Sequence, residues 1–182
     1  MKKLLLSLSL VLGLGLVGQA QTEGPVHKIS VGADALYPFG LAADSYQLGY
    51  GGSIMGEYNL VKKLSITGTV GLTMLAYKSE IKDLYTDLGS DIYLPVKLGA
   101  KYYFGPVYGA ADAGIGVSFK ADRNSSFIYT ATLGKTFSVS PKSSVDVGVR
   151  YEGWSTYREQ VGLTFIDNHS YVGLRLAYAF GL

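Results

Sequence analysis

From residue 26 onward, apolar residues recur at every second position. Val26 to Tyr37 sets Ile29, Val31, Ala33, Ala35 and Tyr37 against Lys28, Ser30, Gly32 and Asp34. Leu64 to Ala76 sets Leu64, Ile66, Val70, Leu72 and Met74 against Ser65, Thr67, Thr69, Gly71 and Thr73. Ile92 to Phe104 alternates in the same way, with Tyr93, Pro95, Lys97, Gly99, Lys101 and Tyr103 on its second face. Successive side chains of a strand point to opposite faces, so each segment reads as a two-faced strand. A helix needs a period near 3.6, which these runs lack.

The pattern predicts eight strands, at 26–37, 46–60, 64–77, 91–104, 107–119, 127–140, 144–155 and 169–180. The connections 61–63, Gly105-Pro106 and 141–143 are short, whereas 38–45, 78–90, 120–126 and 156–168 are longer and more polar. Short turns on one side and long loops on the other, with an even strand count, describe a transmembrane barrel whose short side is periplasmic. The expected fold class is therefore all-β: an eight-stranded antiparallel up-and-down transmembrane β-barrel, closed by pairing 26–37 with 169–180. Gly105-Pro106 suits a two-residue type II′ turn, since glycine supplies the positive φ and proline fixes the second position. That turn pairs Phe104 with Val107 and Tyr103 with Tyr108. The other two short connections need an odd residue count to keep the faces aligned, and three-residue turns supply it.

The start of the chain has a different character. Lys2 and Lys3 precede the apolar stretch Leu4 to Val17, and Gly18-Gln19-Ala20 places small residues at a cleavage site. This is the three-part pattern of a secretory signal peptide, and the stretch is shorter than the ~20 residues a spanning helix needs. The expected organisation is a cleaved leader at 1–20 and one barrel domain at 21–182. Of 16 basic and 14 acidic residues, the leader carries two lysines, so the remainder is neutral. A neutral chain gives no electrostatic footing for nucleic acid. The absence of cysteine from the sequence excludes disulfides and thiolate metal sites.

Composition then decides which face is outside. One face carries a single charge, Lys135, which can snorkel to a nearby interface. The other carries Lys28, Lys97, Lys101, Arg150, Arg175, Asp34, Glu57, Asp91, Asp112, Asp146 and Glu152. An eight-stranded barrel is only just wide enough for its own side chains, and the apolar face would overfill it. The polar face has Gly at 32, 49, 51, 71, 99, 114, 116, 134, 148 and 173, which leaves room for long neighbours. The polar face is therefore expected inside and the apolar face against lipid. Two aromatic girdles are expected on the lipid face. Tyr58, Tyr102, Phe104, Phe137, Tyr178 and Phe180 lie at the short-turn end, and Tyr37, Tyr46, Tyr50, Phe119, Phe127 and Tyr129 at or near the other.

The strand Pro95-Val96-Lys97-Leu98-Gly99-Ala100-Lys101-Tyr102-Tyr103-Phe104 and the terminal Tyr171-Val172-Gly173-Leu174-Arg175-Leu176-Ala177-Tyr178-Ala179-Phe180 resemble the small outer-membrane β-barrel domains of Gram-negative bacteria, the OmpX- and OmpA-barrel-like group. The resemblance implies an integral outer-membrane location with long loops extracellular and termini periplasmic. It also implies the outer-membrane lipid bilayer and the barrel-assembly machinery as partners, the latter through the C-terminal strand. In that group the terminal aromatic is usually the last residue, whereas here Gly181-Leu182 follows Phe180.

Three sets of residues could carry chemistry. The first is a lumen charge network of Glu57, Lys97, Lys101, Asp112, Asp146, Arg150, Glu152 and Arg175, with Asp112 diagonal to both lysines. Buried charges persist when paired, so a plug is favoured over an ion path. The second is His169 with Ser170, but adjacent strand residues face opposite ways and cannot form a dyad. No histidine pair suggests a metal, and no enzyme activity and no cofactor are expected. The third is the loops. Ile81, Leu84, Tyr85 and Leu88 have helical spacing inside 78–90, and Tyr157, Val161, Leu163, Phe165 and Ile166 punctuate 156–168. Such residues serve a surface ligand or cap the barrel mouth. The expected function is structural or surface-interacting, ahead of a narrow channel or small-solute transporter and of a lipid-modifying enzyme.

Overall fold

The computed structural model describes residues 27–84, 89–120, 124–160 and 163–182. The leader at 1–20 and the second half of the helical pattern in 78–90, including Tyr85 and Leu88, lie outside the described residues. Eight strands follow one another: β1 (Lys28–Phe39), β2 (Tyr46–Val61), β3 (Leu64–Tyr77), β4 (Asp91–Phe104), β5 (Val107–Ser118), β6 (Ser126–Ser140), β7 (Ser143–Gln160) and β8 (Leu163–Gly181). Two short helices, α1 (Ala42–Ser45) and α2 (Ser79–Leu84), sit in the β1–β2 and β3–β4 connections. Each strand pairs antiparallel with the next, and β1 pairs with β8 from Lys28↔Gly181 to Phe39↔Ser170. The sheet is a closed barrel with no free edge along that seam.

Alternation sorts the side chains. In β1, Ile29, Val31, Ala33, Ala35 and Tyr37 are exposed on the outer surface, whereas Ser30 and Leu36 are buried. In β8, Val172, Leu174, Leu176, Tyr178 and Phe180 are exposed, and Tyr171, Arg175, Ala177 and Ala179 are buried. A barrel with apolar residues exposed and lysine, arginine and glutamate buried is inside out for water. It is the right way round for hydrocarbon, where only closed barrels and helices satisfy every backbone group.

The exposed aromatics fall in two groups along the strands. Tyr58, Tyr102, Phe104, Phe137, Tyr178 and Phe180 ring the short-turn end. Tyr37, Tyr50, Phe119, Phe127 and Tyr129 lie towards the other, joined by Phe39 and Tyr151. Tyr129 and Phe137 are eight residues apart on β6, which at about 3.4 Å per residue and a ~40° tilt spans roughly 20 Å, close to the ~25 Å apolar band of such barrels.

Three local expectations are corrected. Tyr46 does not join the outer belt: the β2–β3 register shifts between Tyr46 and Leu48, and the irregularity turns Tyr46 into the lumen. The 61–63 and 141–143 connections are two-residue turns at 62–63 and 141–142. The odd residue that parity demands is supplied instead by register shifts at Asn59/Val61 and Ser138/Ser140. Residues 156–160 and 163–168 are not a free loop, because β7 and β8 stay paired up to Gln160↔Leu163, while Val161 lies outside the described residues. The Gly105-Pro106 turn has the anticipated form, with Gly105 at φ 82° and Phe104 opposite Val107. Pro95 has no N–H to donate, and the β3–β4 register skips it, running to Val70↔Val96 and resuming at Thr73↔Tyr93.

Val96 and Lys101 on β4 provide a test of sidedness. Val96→Arg places a guanidinium in hydrocarbon and is expected to cost about 2–4 kcal/mol, whereas Lys101→Arg keeps its charge in the lumen and costs less. Urea midpoints of protein refolded in vesicles read both. Lipid-borne quenchers should reach spin labels at 96 and 102 and not those at 97 and 101.

Candidate functional site: the barrel lumen

The lumen is built in three layers. Nearest the short turns, Lys101 Nζ lies 3.2 Å from Glu57 Oε2 and 2.6 Å from Asp146 Oδ2. Tyr103 OH and Ser65 Oγ donate to Glu57 Oε1 at 2.6 and 2.9 Å. The Lys101 ammonium also lies 4.1 Å from the Tyr108 ring centroid and 5.0 Å from that of Tyr103. Lys101 is 1% exposed, so its charge persists only because two carboxylates and two aromatic faces replace water.

The middle layer is a continuous ion chain. Arg175 Nη1 lies 2.9 Å from Asp34 Oδ2, and Arg150 Nη1 is 2.5 Å from Asp34 Oδ1. Arg150 Nη2 is 2.6 Å from Glu152 Oε2, which Lys97 Nζ approaches to 3.0 Å. The chain therefore runs from β8 through β1 and β7 to β4, across the bore. Glu152 is its hub, for it also accepts from Trp154 Nε1 at 2.8 Å and Thr130 Oγ1 at 3.3 Å.

Above the ion chain the lumen turns apolar. Leu36, Leu75, Tyr93, Ile128, Trp154 and Tyr171 pack together with Tyr46, Tyr77 and Ala42 of α1, and Ile81 of α2 rests against the cluster. Tyr93 meets Trp154 edge to face at 4.9 Å. A carboxylate is buried at the rim of this layer: Asp91 Oδ2 accepts from Tyr46 OH at 2.8 Å and Tyr77 OH at 2.5 Å. Lys120, from the β5–β6 connection, reaches Asp91 Oδ1 at 2.9 Å.

Glycines make this filling fit. A Cβ on Gly134 would lie 2.4 Å from the Tyr108 ring, and one on Gly116 would lie 2.8 Å from Ile128 and Trp154. Between the two charged layers a small cavity remains, with about 30 Å³ open to water centres. It is lined by Met55, Thr69, Lys97, Lys101, Tyr108, Ala110, Asp112, Thr132, Arg150 and Arg175. That is room for roughly two waters.

All eight sequence-derived lumen residues lie inside the barrel, and seven of them share ion pairs. Asp112 sits opposite Gly99 as its register requires, but its carboxylate accepts from Thr67 Oγ1 at 2.8 Å instead of pairing with either lysine. Two features escaped the sequence reading. Asp34 was on the polar face but outside the network, and the structure makes it the bridge between both arginines. The inward aromatic layer was also missed, although Tyr93 shares parity with Lys97, Trp154 with Arg150, and Tyr171 with Arg175. His169 and Ser170 diverge: Ser170 Oγ lies 3.2 Å from Tyr151 OH on the outer surface, while the His169 ring is 6.0 Å from that of lumenal Tyr46. Among the described residues no cluster of three histidines or carboxylates has metal-site geometry.

Glu152→Leu strips Arg150 and Lys97 of a shared carboxylate and is expected to destabilise the barrel by about 3–5 kcal/mol. Trp154→Ala opens a cavity in the apolar layer at a cost of about 3–5 kcal/mol. Lys142→Gln, at an exposed turn, should leave the urea midpoint unchanged, and all three are read by equilibrium unfolding in vesicles.

No protein-family model matches the sequence, and no curated protein is recognisably similar to it. Solved structures are similar in fold. Outer membrane protein AlkL in lipid bilayers has a TM-score of 0.56 at 12% identity, over 90% of this chain and 94% of that one. Neisserial surface protein A gives 0.57 at 14%, over 86% and 97%. Ail, the attachment invasion locus protein of Yersinia pestis, gives 0.53 at 19%, over 87% and 99%. Closed eight-stranded topology, a lipid-facing apolar belt and a charged lumen, together with these likenesses, give the chain the fold of the small outer-membrane β-barrels.

Proposed function

We propose that the chain is an integral outer-membrane protein with a structural or surface-interacting role, in which the barrel is an occluded scaffold for its long-loop end. The observation that carries this reading is the ion chain Arg175–Asp34–Arg150–Glu152–Lys97, which crosses the bore below a packed aromatic layer. A channel of eight strands has little width to spare. Here, among the described residues, the ion chain and the aromatic layer take up much of that width, beside a small cavity of about 30 Å³ between the charged layers.

The long-loop end offers the contact surface. Among the described residues β7 has no β6 partner beyond Thr156 and β8 has no β1 partner before Ser170, so the β7–β8 hairpin extends past the barrel wall, where Asn124 Nδ2 of the β5–β6 connection donates to Tyr157 O at 2.8 Å. It carries exposed Tyr157, Phe165 and Ile166 beyond the aromatic belt. Apolar residues on a projecting, backbone-paired element suit binding of a surface ligand. The name of Ail describes attachment for a barrel of like fold. In this reading the long loops are extracellular and the termini periplasmic. The bilayer is the main partner, and the Tyr178–Phe180 end of β8 engages the barrel-assembly machinery.

Refolded protein in planar bilayers should show no stepwise conductance. Steady unitary steps would favour the channel reading instead. Replacing 157–166 with a two-residue Asn-Gly turn should preserve heat-modifiable migration on gels. It should also lower adhesion of expressing cells to hydrophobic beads, the probe that matches exposed Tyr157, Phe165 and Ile166. Unchanged adhesion would remove the hairpin from the contact surface.

A further inference from the structure

On the outer wall of β6, β7 and β8, a group of aromatic rings lies beside a set of neutral polar side chains. Tyr129 of β6 stands opposite Gly153 of β7, which in turn stands opposite Ser170 of β8. The Tyr129 ring crosses onto β7 and occupies the space that a Cβ on Gly153 would need, while 40% of the residue stays exposed. Tyr151 and Phe127 flank it, with ring centroids 6.1 and 6.3 Å away and planes inclined by 39° and 34°. The three rings form a shallow outward platform held on a hydrogen-bonded ladder.

Polar groups border that platform. Tyr151 OH and Ser170 Oγ share a hydrogen bond at 3.2 Å, and Ser155 Oγ donates to Asn168 Oδ1 at 2.7 Å. Ser155 and Asn168 face each other two residues further along the hairpin, about 7 Å beyond Gly153 and Ser170. The outward positions of β7 from Tyr151 to Tyr157, and their β8 partners from Val172 to Ile166, carry no charge.

We infer that this patch is a docking site for a pyranose ring carried by a glycolipid of the outer leaflet. The chemistry selects the class. A tyrosine ring presents a negative face to the slightly positive C–H bonds of a sugar, and serine and asparagine side chains supply hydrogen bonding that adapts to its hydroxyls. A phosphate or sulfate would call for cations, which those outward positions lack. The wall selects the source. Val172 and Leu174 of β8 and Val149 of β7 continue below the patch, all exposed and apolar, so the lipid chains of the same molecule have a surface next to its headgroup. The leaflet assignment rests on the orientation in the proposed function.

The test is isotope-filtered NMR of refolded protein with labelled tyrosine, leucine and valine, in dodecylphosphocholine micelles holding a minor fraction of dodecyl maltoside. Pyranose protons should give several-fold stronger NOEs to the Tyr129 ring than to that of Tyr50. Tyr50 is similarly exposed on β2 but stands opposite Ala35 and Met74, which offer no hydroxyl or amide side chain. S155A/N168A should weaken the Tyr129 signal about fivefold. Read at the Tyr151 ring, Y129L should lose the pyranose signal and Y129F should keep it. Equal signals at Tyr50 and Tyr129, or an undiminished signal in S155A/N168A, would overturn the inference. An equal signal from free maltose would overturn it too, by making the ligand a soluble sugar. Alkyl-chain NOEs to Val149 and Leu174 read the wall itself. Where these persist, absence of the pyranose signal counts against this site alone; a wild type without them would overturn the membrane reading and this site together.

Discussion

The pairing of β1 with β8 is the constraint on which every other feature depends. Within hydrocarbon an unpaired N–H or C=O has no water to bond, so an open sheet of this length could not reside there. Twelve residue pairs from Lys28↔Gly181 to Phe39↔Ser170 remove both edges at once. Closure also fixes the parity of each strand, because every residue must then point either to lipid or to the bore. Where parity would fail, at the 62–63 and 141–142 turns and at Tyr46, the chain inserts a register shift instead of breaking the ladder.

Once closed, the barrel has a narrow interior that its own side chains must largely fill. Charged residues are a costly filling unless each is paired or hydrogen-bonded, and the structure provides such partners in depth. Glu152 binds two cations and an indole N–H, Asp34 binds two guanidinium groups, and Lys101 binds two carboxylates. Glycines on the same face make such crowding sterically feasible. The Tyr108 ring lies over Gly134, and the Arg150 stem passes Gly173, where a Cβ would meet it at 3.2 Å. The charges thus do more than neutralise one another: they cross-link strands on different walls of the barrel.

The lumen is also graded. Ion pairs fill the short-turn and central portions, and an aromatic cluster fills the part beneath α1 and α2. Within that cluster Asp91 gathers Tyr46, Tyr77 and Lys120, which fastens the β5–β6 connection to the barrel rim.

The sequence by itself determined the strands, their order, and which face of each meets lipid. Period-two alternation is a local property, and eight runs of it with alternating short and long connections admit few closures. The aromatic belts were legible for the same reason, because Tyr102, Phe137 and Tyr178 stand on the apolar parity near strand ends. Parity likewise put Lys97, Lys101, Arg150, Glu152 and Arg175 inside. What parity cannot state is which inward residue meets which across the bore. Shear and tilt set the height of each strand relative to the one opposite, and those are properties of the whole closed sheet. Tertiary structure alone therefore made Asp34 the bridge between Arg150 and Arg175, left Asp112 with Thr67, and stacked Tyr93, Trp154 and Tyr171 into one layer. The same holds for residues 156–168. Their polar, irregular pattern reads as a loop, and only the continued β7–β8 ladder, anchored on the barrel wall below, makes 156–160 and 163–168 paired strands.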